Sequence, residues 1–335
     1  MRRFWAIALS CVLLLLSGCG AAAPEELTLF AMDTYMTLTA CGDGAKDALE
    51  EAAQRINALE QLFSRTREDS DVSRLNRQGS ASLHPETAEL LALSLSCAEA
   101  TGGAFDVTVA PLVSLWNVTG DTPRVPAREE IDALMPLVGV EHLHLDGTSA
   151  SLDEGCAVDL GGIAKGYASD QVAAIFAARG IRSGAVSLGG NVYVCGTRPD
   201  GTPWRVAVQD PQGAGYACIL SLQDTFAVTS GAYQRNFTAP DGTVYHHILD
   251  PATGAPAQSD LLSVTVLGAS GSVADAYSTA LFVMGQRQAE AFWRAQGGFS
   301  LVLITADGRV RCTPDLSEQL TLSEDTSYVL EVISP

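Results

Sequence analysis

The polar residues of one predicted helix are strong candidates for chemistry in this chain. Asp275 and Thr279 are four residues apart, so they share one face of a helix predicted over residues 272–284, whose other positions are mostly apolar. A buried carboxylate without a partner is costly. A carboxylate and a hydroxyl are hard oxygen ligands of the kind that Mg²⁺ accepts, with substrate oxygens completing its coordination. Two interpretations stay open: a magnesium site, or a hydrogen-bonded polar pair.

Glycine-rich segments with polar residues occur at four other places, namely residues 101–108, 158–166, 187–191 and 229–231. The second of them joins a predicted strand to a predicted helix. Its glycines allow the backbone to approach a ligand, and the helix start offers free N–H groups to an anion. Each segment alone is a weak signal, because Asp106 and Asp159 could cap turns and Lys165 could pair with a surface carboxylate.

His247 begins the segment His-Ile-Leu-Asp-Pro-Ala-Thr-Gly, which otherwise has the composition of a turn. An imidazole can exchange protons at neutral pH because its unperturbed pKa is about 6.5. A lone histidine is more often a hydrogen-bonded structural residue. The segment by itself therefore leaves a catalytic and a structural role open.

The N-terminal residues have the features of an export signal. Arg2 and Arg3 precede an apolar stretch over residues 4–16, which is shorter than the roughly 20 residues that span a membrane. Leu-Ser-Gly-Cys follows at residues 16–19 and resembles the bacterial lipobox, in which the cysteine becomes the lipidated first residue. The alternative is an ordinary signal peptide with a chance cysteine at position 19.

We therefore expect a lipoprotein signal peptide over residues 1–18, a lipid-anchored tether over 19–26 and one functional unit over 27–335. The protein would be extracytoplasmic and attached to a bacterial membrane through Cys19. Its formal net charge of −19 excludes nucleic acid as a natural partner, because such a surface repels phosphate backbones. An anionic ligand would need a metal ion or local backbone donors.

The remaining cysteines are widely spaced, with no C-x-x-C pair, which argues against a zinc site. Buried thiols or one or two disulfides both fit this spacing.

The secondary structure predicted from hydrophobic periodicity mixes helices and strands without strict alternation. Helices are predicted over residues 46–63, 86–100, 128–137, 164–178, 272–284 and 288–296. Strands are predicted over residues 27–40, 142–145, 157–160, 185–188, 192–195, 204–208, 217–222, 226–228, 262–267, 301–305, 310–312 and 328–333. This pattern indicates an α+β fold of mixed sheets with packed helices, either as one compact unit or with two subdomains inside it.

The order of the clusters resembles the ApbE-like FAD:protein FMN transferase family over roughly residues 27–310. The clusters that carry the resemblance are Met32-x-Thr34, Gly103-Ala-Phe-Asp106, Asp159-Leu-Gly-Gly-Ile-Ala-Lys165-Gly166, Gly189-Gly-Asn191, Thr229-Ser-Gly231, His247-Ile-Leu-Asp-Pro-x-Thr-Gly254 and Ala274-Asp275-x-x-x-Thr279.

The resemblance implies an ApbE-like fold, FAD as substrate and Mg²⁺ as cofactor. It also implies transfer of FMN, through a phosphodiester, to a Thr or Ser of an exported acceptor with a Ser/Thr-Gly-Ala-Ser/Thr motif. The implied FAD site is lined by Met32, Ala104, Phe105, Asp106, Asp159, Lys165 and His247. The implied metal ligands are the Gly162 carbonyl and the side chains of Asp275 and Thr279, with Ser278 as a further candidate. Asp275 and His247 are the catalytic candidates, His247 as the general base.

One position departs from the family pattern, which usually has Met-Gly-Thr where this chain has Met32-Asp33-Thr34. If the glycine is needed for a positive φ, aspartate is among the better substitutes but costs energy. If it is needed for closeness to the flavin, the affinity for FAD falls.

Two other functions use the same residues in part. Water in place of the acceptor hydroxyl would make the protein an FAD pyrophosphatase that yields FMN and AMP. A surface flavin-binding lipoprotein would need the pocket but not Asp275 and Thr279, whose presence argues against it. Ser230-Gly231-Ala232 is like the acceptor motif, but Tyr233 replaces its second hydroxyl residue, so we interpret it as part of the enzyme.

Overall fold

A computed structural model describes residues 24–335. The predicted signal peptide over residues 1–18, Cys19 and most of the predicted tether lie outside the described residues. Within residues 24–335, no helix combines the length and the apolar character needed to cross a membrane.

The α-helices of the described chain are α1 (Ala45–Phe63), α2 (Asp71–Gln78), α3 (Pro85–Ala100), α4 (Ala110–Trp116), α5 (Arg128–Leu134), α6 (Ala164–Ala178) and α7 (Gly271–Gln296). Short 3-10 turns cover Val107–Val109, Met135–Leu137, Val140–His142 and Pro314–Leu316.

The strands up to residue 222 are β1 (Glu25–Ala31), β2 (Thr34–Ala40), β3 (Ser80–Ser82), β4 (Leu143–Asp146), β5 (Ser149–Leu152), β6 (Ser183–Leu188), β7 (Asn191–Gly196), β8 (Trp204–Gln209) and β9 (Tyr216–Leu222). The later strands are β10 (Thr225–Gly231), β11 (Asn236–Thr238), β12 (Val244–His246), β13 (Leu249–Asp250), β14 (Ala255–Pro256), β15 (Leu261–Gly268), β16 (Ser300–Thr305), β17 (Arg309–Cys312), β18 (Leu320–Leu322) and β19 (Val329–Val332).

A nine-stranded sheet runs through the molecule in the order β1-β2-β6-β7-β10-β15-β16-β17-β19. Its neighbouring strands are antiparallel, except that β17 and β19 are parallel. Smaller sheets are β18-β9-β8, β3-β5-β4, β11-β12 and β13-β14. The predicted α+β class with mixed sheets and packed helices is confirmed.

The central sheet separates two hydrophobic layers, because successive side chains of a strand point to opposite faces. On one face, Leu38 of β2 and Val264 of β15 belong to the same core as Phe176 of α6. On the other face, Ala227 of β10 shares a core with Leu220 of β9 in the β18-β9-β8 sheet. Complete burial of a side chain such as Phe176 stabilises the fold by roughly 1.5–3 kcal/mol.

Helices α6 and α7 approach each other closely at two glycines. A Cβ added at Gly166 would lie 2.2 Å from the carbonyl oxygen of Gly271, and one added at Gly271 would lie 2.6 Å from that of Gly166. Any larger residue at either position would force the helices apart. The close approach brings the start of α6 against the first turns of α7.

The helices predicted over residues 46–63, 86–100 and 164–178 are confirmed to within one residue as α1, α3 and α6. The two helices predicted over residues 272–284 and 288–296 are the two parts of α7, which is interrupted at Gly285 with φ 74° and ψ 171°. A Cβ at Gly285 would meet a carboxylate oxygen of Asp260 at 2.9 Å, so both space and conformation require glycine at the break.

The prediction of one strand over residues 27–40 is wrong in one respect: these residues form a hairpin of two strands. Strands β1 and β2 are joined by Met32 and Asp33, with φ values of 48° and 60°. Two successive residues with positive φ form the type of turn whose twist matches a hairpin. The usual signal for this turn is glycine, and neither residue is glycine. Strand β1 begins at Glu25, two residues before the predicted start at residue 27.

Two other predicted elements also differ from the structure. Residues 157–160 form no strand, because their backbone groups bind elsewhere: the N–H and carbonyl of Val158 both bind the Asn76 amide at 2.8 Å. The helix predicted over 128–137 ends at Leu134 and continues as a 3-10 turn, since Pro136 has no N–H for the helical hydrogen bond.

The six cysteines of the described chain are free thiols, and Cys97, Cys156, Cys218 and Cys312 are buried. Burial raises the pKa of Cys97 to about 11 and that of Cys218 to about 12. These thiols are therefore protonated and unreactive at neutral pH.

Candidate active site

One cavity of about 1190 Å³ brings together residues from distant parts of the chain. It is lined by Met32, Ala104, Phe105, Asp106, Asp159, Gly162, Lys165, His247, Asp275 and Thr279, among others. The structure thus places ten of the predicted site residues around a single space. Ser278 does not line it.

The polar face of α7 forms one wall of the cavity. Asp275 is only 4% exposed, and its Oδ2 accepts a hydrogen bond from the N–H of Gly166 at 2.9 Å. The close approach of α6 and α7 makes this contact possible. Thr279, one turn further along α7, has its Oγ1 3.3 Å from the hydroxyl of Ser230 on β10. The carboxylate is held by one backbone donor, and its other oxygen has no hydrogen-bond partner within residues 24–335.

Ser278 is fully buried beside these residues but faces the sheet. Its hydroxyl donates to the Asp275 carbonyl at 2.9 Å and lies 2.8 Å from the Ser230 hydroxyl. These contacts tie α7 to β10. The role of Ser278 as a further candidate metal ligand stays a prediction.

Gly162 lies opposite Thr279 in the segment that leads into α6. A Cβ at this position would be 3.2 Å from the Phe105 ring and 3.8 Å from the Thr279 Oγ1, so the backbone here closely approaches both side chains. No group of three or more His, Cys, Asp or Glu residues that could hold a metal occurs in the described part of the chain. A cation at this wall would be held by one carboxylate, a hydroxyl and a carbonyl, a hard oxygen set that leaves coordination positions for substrate and water.

Three cationic side chains line the cavity, and they differ in their partners. Arg65 binds Asp159 with an Nε–Oδ2 distance of 2.9 Å, and Arg235 binds Asp33 with an Nη1–Oδ2 distance of 2.9 Å. Lys165 donates to the Gly161 carbonyl at 3.3 Å and has no carboxylate partner among the residues that the structure describes. Lys165 is therefore the cation best able to meet an anionic ligand.

The segment after α3 contributes Ala104, Phe105 and Asp106. It bends sharply because Gly102 and Gly103 have φ values of 60° and 83°. Asp106 caps the following 3-10 turn, since its Oδ1 accepts from the N–H and the hydroxyl of Thr108 at 2.7 and 2.6 Å. Burial raises the pKa of Asp106 above its usual value, although the bonds from Thr108 oppose this effect. Asp106 thus both caps the 3-10 turn and lines the cavity.

His247 is held through its ring and its backbone. Its Nδ1 and its N–H both lie 3.1 Å from the carbonyl oxygen of Arg235. Since a carbonyl oxygen only accepts, Nδ1 carries the proton and Nε2 has the free lone pair. Burial lowers the pKa of His247 to about 4 against the effect of the Arg235 carbonyl, and the charges of Arg235 and Lys165 add to the lowering. The imidazole is therefore neutral at pH 7 and can accept a proton.

The hairpin turn at Met32 and Asp33 borders the same space. The N–H of Met32 donates to Oε1 of Glu60 on α1 at 3.0 Å, and both the carboxylate and the carbonyl of Asp33 bind Arg235. The turn has positive φ at Asp33, so the backbone requirement that a glycine would satisfy is present, and aspartate fulfils it. The sequence did not single out Glu60, Arg65 or Arg235, because their importance depends on contacts between distant segments.

Asn191 follows the paired glycines of the β6–β7 turn and also lines the cavity. Its side-chain oxygen is buried and has no hydrogen-bond partner within residues 24–335. Buried polar atoms are usually hydrogen-bonded, so an oxygen without a protein partner beside a cavity is a candidate contact for a ligand or an ordered water. A Cβ at Gly189 would lie 2.4 Å from the Thr34 hydroxyl, which explains the close approach of this turn to β2.

Comparison with known proteins gives a consistent result. The FAD:protein FMN transferase of Treponema pallidum is 33% identical over 98% of this chain and 98% of its own length, and that of Vibrio cholerae is 35% identical over 91% and 95%. The crystal structure of the ApbE protein from Thermotoga maritima matches with a TM-score of 0.80 at 32% identity, covering 90% of this chain and 97% of that one. The ApbE family model matches residues 32–303. This chain belongs to the ApbE family.

Proposed function

We propose that the protein is a magnesium-dependent FAD:protein FMN transferase. The reaction breaks the pyrophosphate bond of FAD, releases AMP and joins the FMN phosphate to a Ser or Thr hydroxyl of an exported acceptor protein. The observation that carries the proposal is the convergence of Asp275, Thr279, Lys165 and a neutral His247 on one cavity. The relatives named FAD:protein FMN transferase support the same activity.

The cavity walls have the chemistry that FAD requires. Phe105, Met32 and Ala104 offer apolar surface to an aromatic ring system, and Asn191 offers a buried acceptor. A volume of about 1190 Å³ leaves room for the whole dinucleotide and an entering side chain. The strongly negative chain repels the pyrophosphate, so Lys165 and a bound cation must offset that repulsion.

Asp275, Thr279 and the Gly162 carbonyl would hold Mg²⁺. When bound, the ion would neutralise charge on the pyrophosphate oxygens and on the departing AMP. Asp275 is suited to this role because one of its oxygens is fixed by Gly166 while the other has no bond within residues 24–335. The neighbouring hydroxyl and carbonyl complete one side of an oxygen-lined site.

His247 would act as the general base. The Arg235 carbonyl fixes its Nδ1 proton and leaves Nε2 to accept the proton of the acceptor hydroxyl as that oxygen attacks the FMN phosphorus. A base with a pKa of about 4 is fully deprotonated at neutral pH, although it is a weaker base than an ordinary histidine. Lys165 would bind a phosphate oxygen during the same step.

The membrane attachment is part of the proposal. Cys19 would carry the lipid, and the residues that follow would form a tether before β1. Cys19→Ala should move the protein from the membrane fraction to the soluble exported fraction with FMN transfer unchanged. A variant that stays with the membrane would contradict the lipid anchor without affecting the catalytic proposal.

The decisive experiment mixes the purified protein with FAD, Mg²⁺ and an exported acceptor domain that contains a Ser/Thr-Gly-Ala-Ser/Thr motif. We expect a fluorescent acceptor band on a denaturing gel and an FMN adduct on the motif hydroxyl by mass spectrometry, with one AMP per adduct. An acceptor with that hydroxyl replaced by alanine is the control. AMP release without an adduct would instead show an FAD pyrophosphatase, and FAD binding without AMP release would show a flavin-binding protein.

A further inference from the structure

An ion pair at the border of the cavity joins two segments that are far apart in the chain. Arg235 Nη1 binds the Asp33 carboxylate at 2.9 Å, and Nη2 binds the Asp33 carbonyl at 2.6 Å. The guanidinium thus contacts both the side chain and the backbone of one residue. Lysine could not reproduce this fork, because a single ammonium group cannot match two fixed acceptors in the same plane.

The backbone carbonyl of Arg235 also contacts His247, at the border of the same cavity. Its carbonyl oxygen is the acceptor for both the N–H and the Nδ1 proton of His247, each at 3.1 Å. The position of this carbonyl therefore decides how the imidazole is oriented and which nitrogen carries the proton. A displacement of residue 235 would move the ring of His247 with it.

The segment that carries Arg235 leads into β11. Residues 232–235 lie between β10 and β11 in turns and bends, and the bond from the His247 N–H to the Arg235 carbonyl continues the pairing of Asn236 with His246. Asp33 belongs to the tight β1–β2 turn, in which the N–H of Met32 donates a hydrogen bond to Glu60 on α1. The backbone bond joins residues 235 and 247, and the ion pair to Asp33 adds a side-chain restraint from the hairpin turn.

We propose that Asp33 is a positioning residue that holds Arg235 and, through the Arg235 carbonyl, keeps His247 in one orientation and one tautomer. This inference rests on the proposed function, in which His247 accepts a proton. In this proposal Asp33 acts through Arg235 and not directly on the acceptor or the reacting phosphate. Its loss should lower kcat and leave the KM for FAD nearly unchanged.

The solvent exposure of the Asp33–Arg235 ion pair limits how much its loss can lower kcat. The side chains of Asp33 and Arg235 are 73% and 38% exposed, so water and salt screen their attraction. We expect a loss in kcat of about three-fold for Asp33→Asn, the size that an exposed ion pair supports. In about 1 M salt, where the Debye length is about 3 Å, the wild type should fall to the level of the variant.

The test compares Asp33→Asn and Asp33→Gly with the matched control Asp224→Asn. Asp224 also has a positive φ, of 47°, and does not line the cavity, so the control makes the same charge change in the same type of backbone conformation. Asparagine and glycine both tolerate this conformation, so the hairpin should survive in both variants. We expect lower kcat in the two Asp33 variants, no change in the control and unchanged melting temperatures.

Nitrogen-15 NMR of the His247 ring supplies a readout that does not depend on activity. The wild type should show the Nδ1–H tautomer alone, and the Asp33 variants should show a mixture with the Nε2–H tautomer. A single tautomer and wild-type kcat in Asp33→Asn at low salt would overturn the inference. If the wild type transferred no FMN at all, the proposed function would fail, and the tautomer ratio would still decide the role of Asp33.

Discussion

Two walls of the cavity hold their functional groups in different ways. In the α7 wall (Gly162, Gly166, Asp275 and Thr279), Gly166 and Asp275 are buried and the other two residues are half-buried. Its carboxylate accepts a hydrogen bond from a backbone N–H at the close approach of two helices. The hairpin wall (Asp33, Arg235 and His247) depends on an exposed ion pair and one loop carbonyl. The groups that would hold a cation are thus fixed by packing, and the proposed base, His247, is fixed by contacts that include an ion pair open to salt.

The two walls should therefore differ in how they tolerate substitutions. A packed wall adapts little to a changed side chain, so a substitution there should act through the group that it removes or the clash that it creates. A wall held by screened polar contacts should respond in a graded manner to sequence, pH and ionic strength.

The largest effect is expected for Asp275→Asn on the α7 wall. The amide oxygen can still accept from Gly166, so the fold should persist, while the charge that binds the cation is lost. We expect activity to fall by about a thousand-fold or more, in line with the several kcal/mol that a bound cation contributes. EDTA should have the same effect on the wild type, and added Mg²⁺ should restore the wild type only. Near-normal turnover in the variant would remove Asp275 from the metal site.

His247→Gln on the hairpin wall should lower kcat by about 100-fold, the lower range for loss of a general base. Because the proposed base would act in its neutral form, the wild-type rate should be constant near neutrality and fall as the pH drops through about 4. The variant should lack this acid limb. A pH profile of kcat for both proteins checks the assignment, and an identical limb in the variant would assign it to another group.

Gly162→Ala should reduce activity by about ten-fold. The new Cβ would lie 3.2 Å from the Phe105 ring, so the ring or the backbone must move by a few tenths of an ångström. A misplacement of 1 Å can cost about 100-fold in rate, so a smaller shift should cost less. Gly268→Ala is the matched control, because its Cβ would meet only the Phe299 Cβ at an ordinary 3.8 Å. Equal rates in the two variants would show that the α7 wall can adapt.

The smallest effect is expected for Ser278→Ala. Its hydroxyl binds Ser230 and the Asp275 carbonyl and does not face the cavity, so activity should stay within about three-fold and stability should fall by about 1 kcal/mol. Thermal melting and steady-state rates measure the two effects. A loss as large as that of Asp275→Asn would show that Ser278 binds the cation after all.

The sequence predicted the fold best where local periodicity decides the structure. Helices α1 and α6 repeat apolar residues at helical spacing, and their ends agree with the prediction to within one residue. The hairpin at Met32 and Asp33 was missed because its turn lacks the glycine that usually marks positive φ. Residues 157–160 have strand-like composition, but the distant Asn76 takes the hydrogen bonds of Val158.

The site was predicted from the order of its motifs, and ten of those residues do meet in the cavity. The contacts that tune them were not predictable in the same way. Arg65 meets Asp159, and Arg235 meets Asp33, only because tertiary structure brings distant segments together. Ser278 and Thr279 are adjacent in sequence, yet only Thr279 lines the cavity, because neighbouring residues point in different directions around a helix.

If Cys19 carries a lipid, as proposed, the early start of β1 limits how far the enzyme can work from that lipid. Five residues separate Cys19 from Glu25, and a fully extended link of that length reaches roughly 20 Å. The seven residues of β1 add about another 20 Å before the turn at Met32 and Asp33. A lipid at Cys19 would therefore keep the cavity border within about 40 Å of the bilayer. Acceptor proteins would have to present their hydroxyl in that shallow zone, which favours acceptors that are themselves attached to the same membrane.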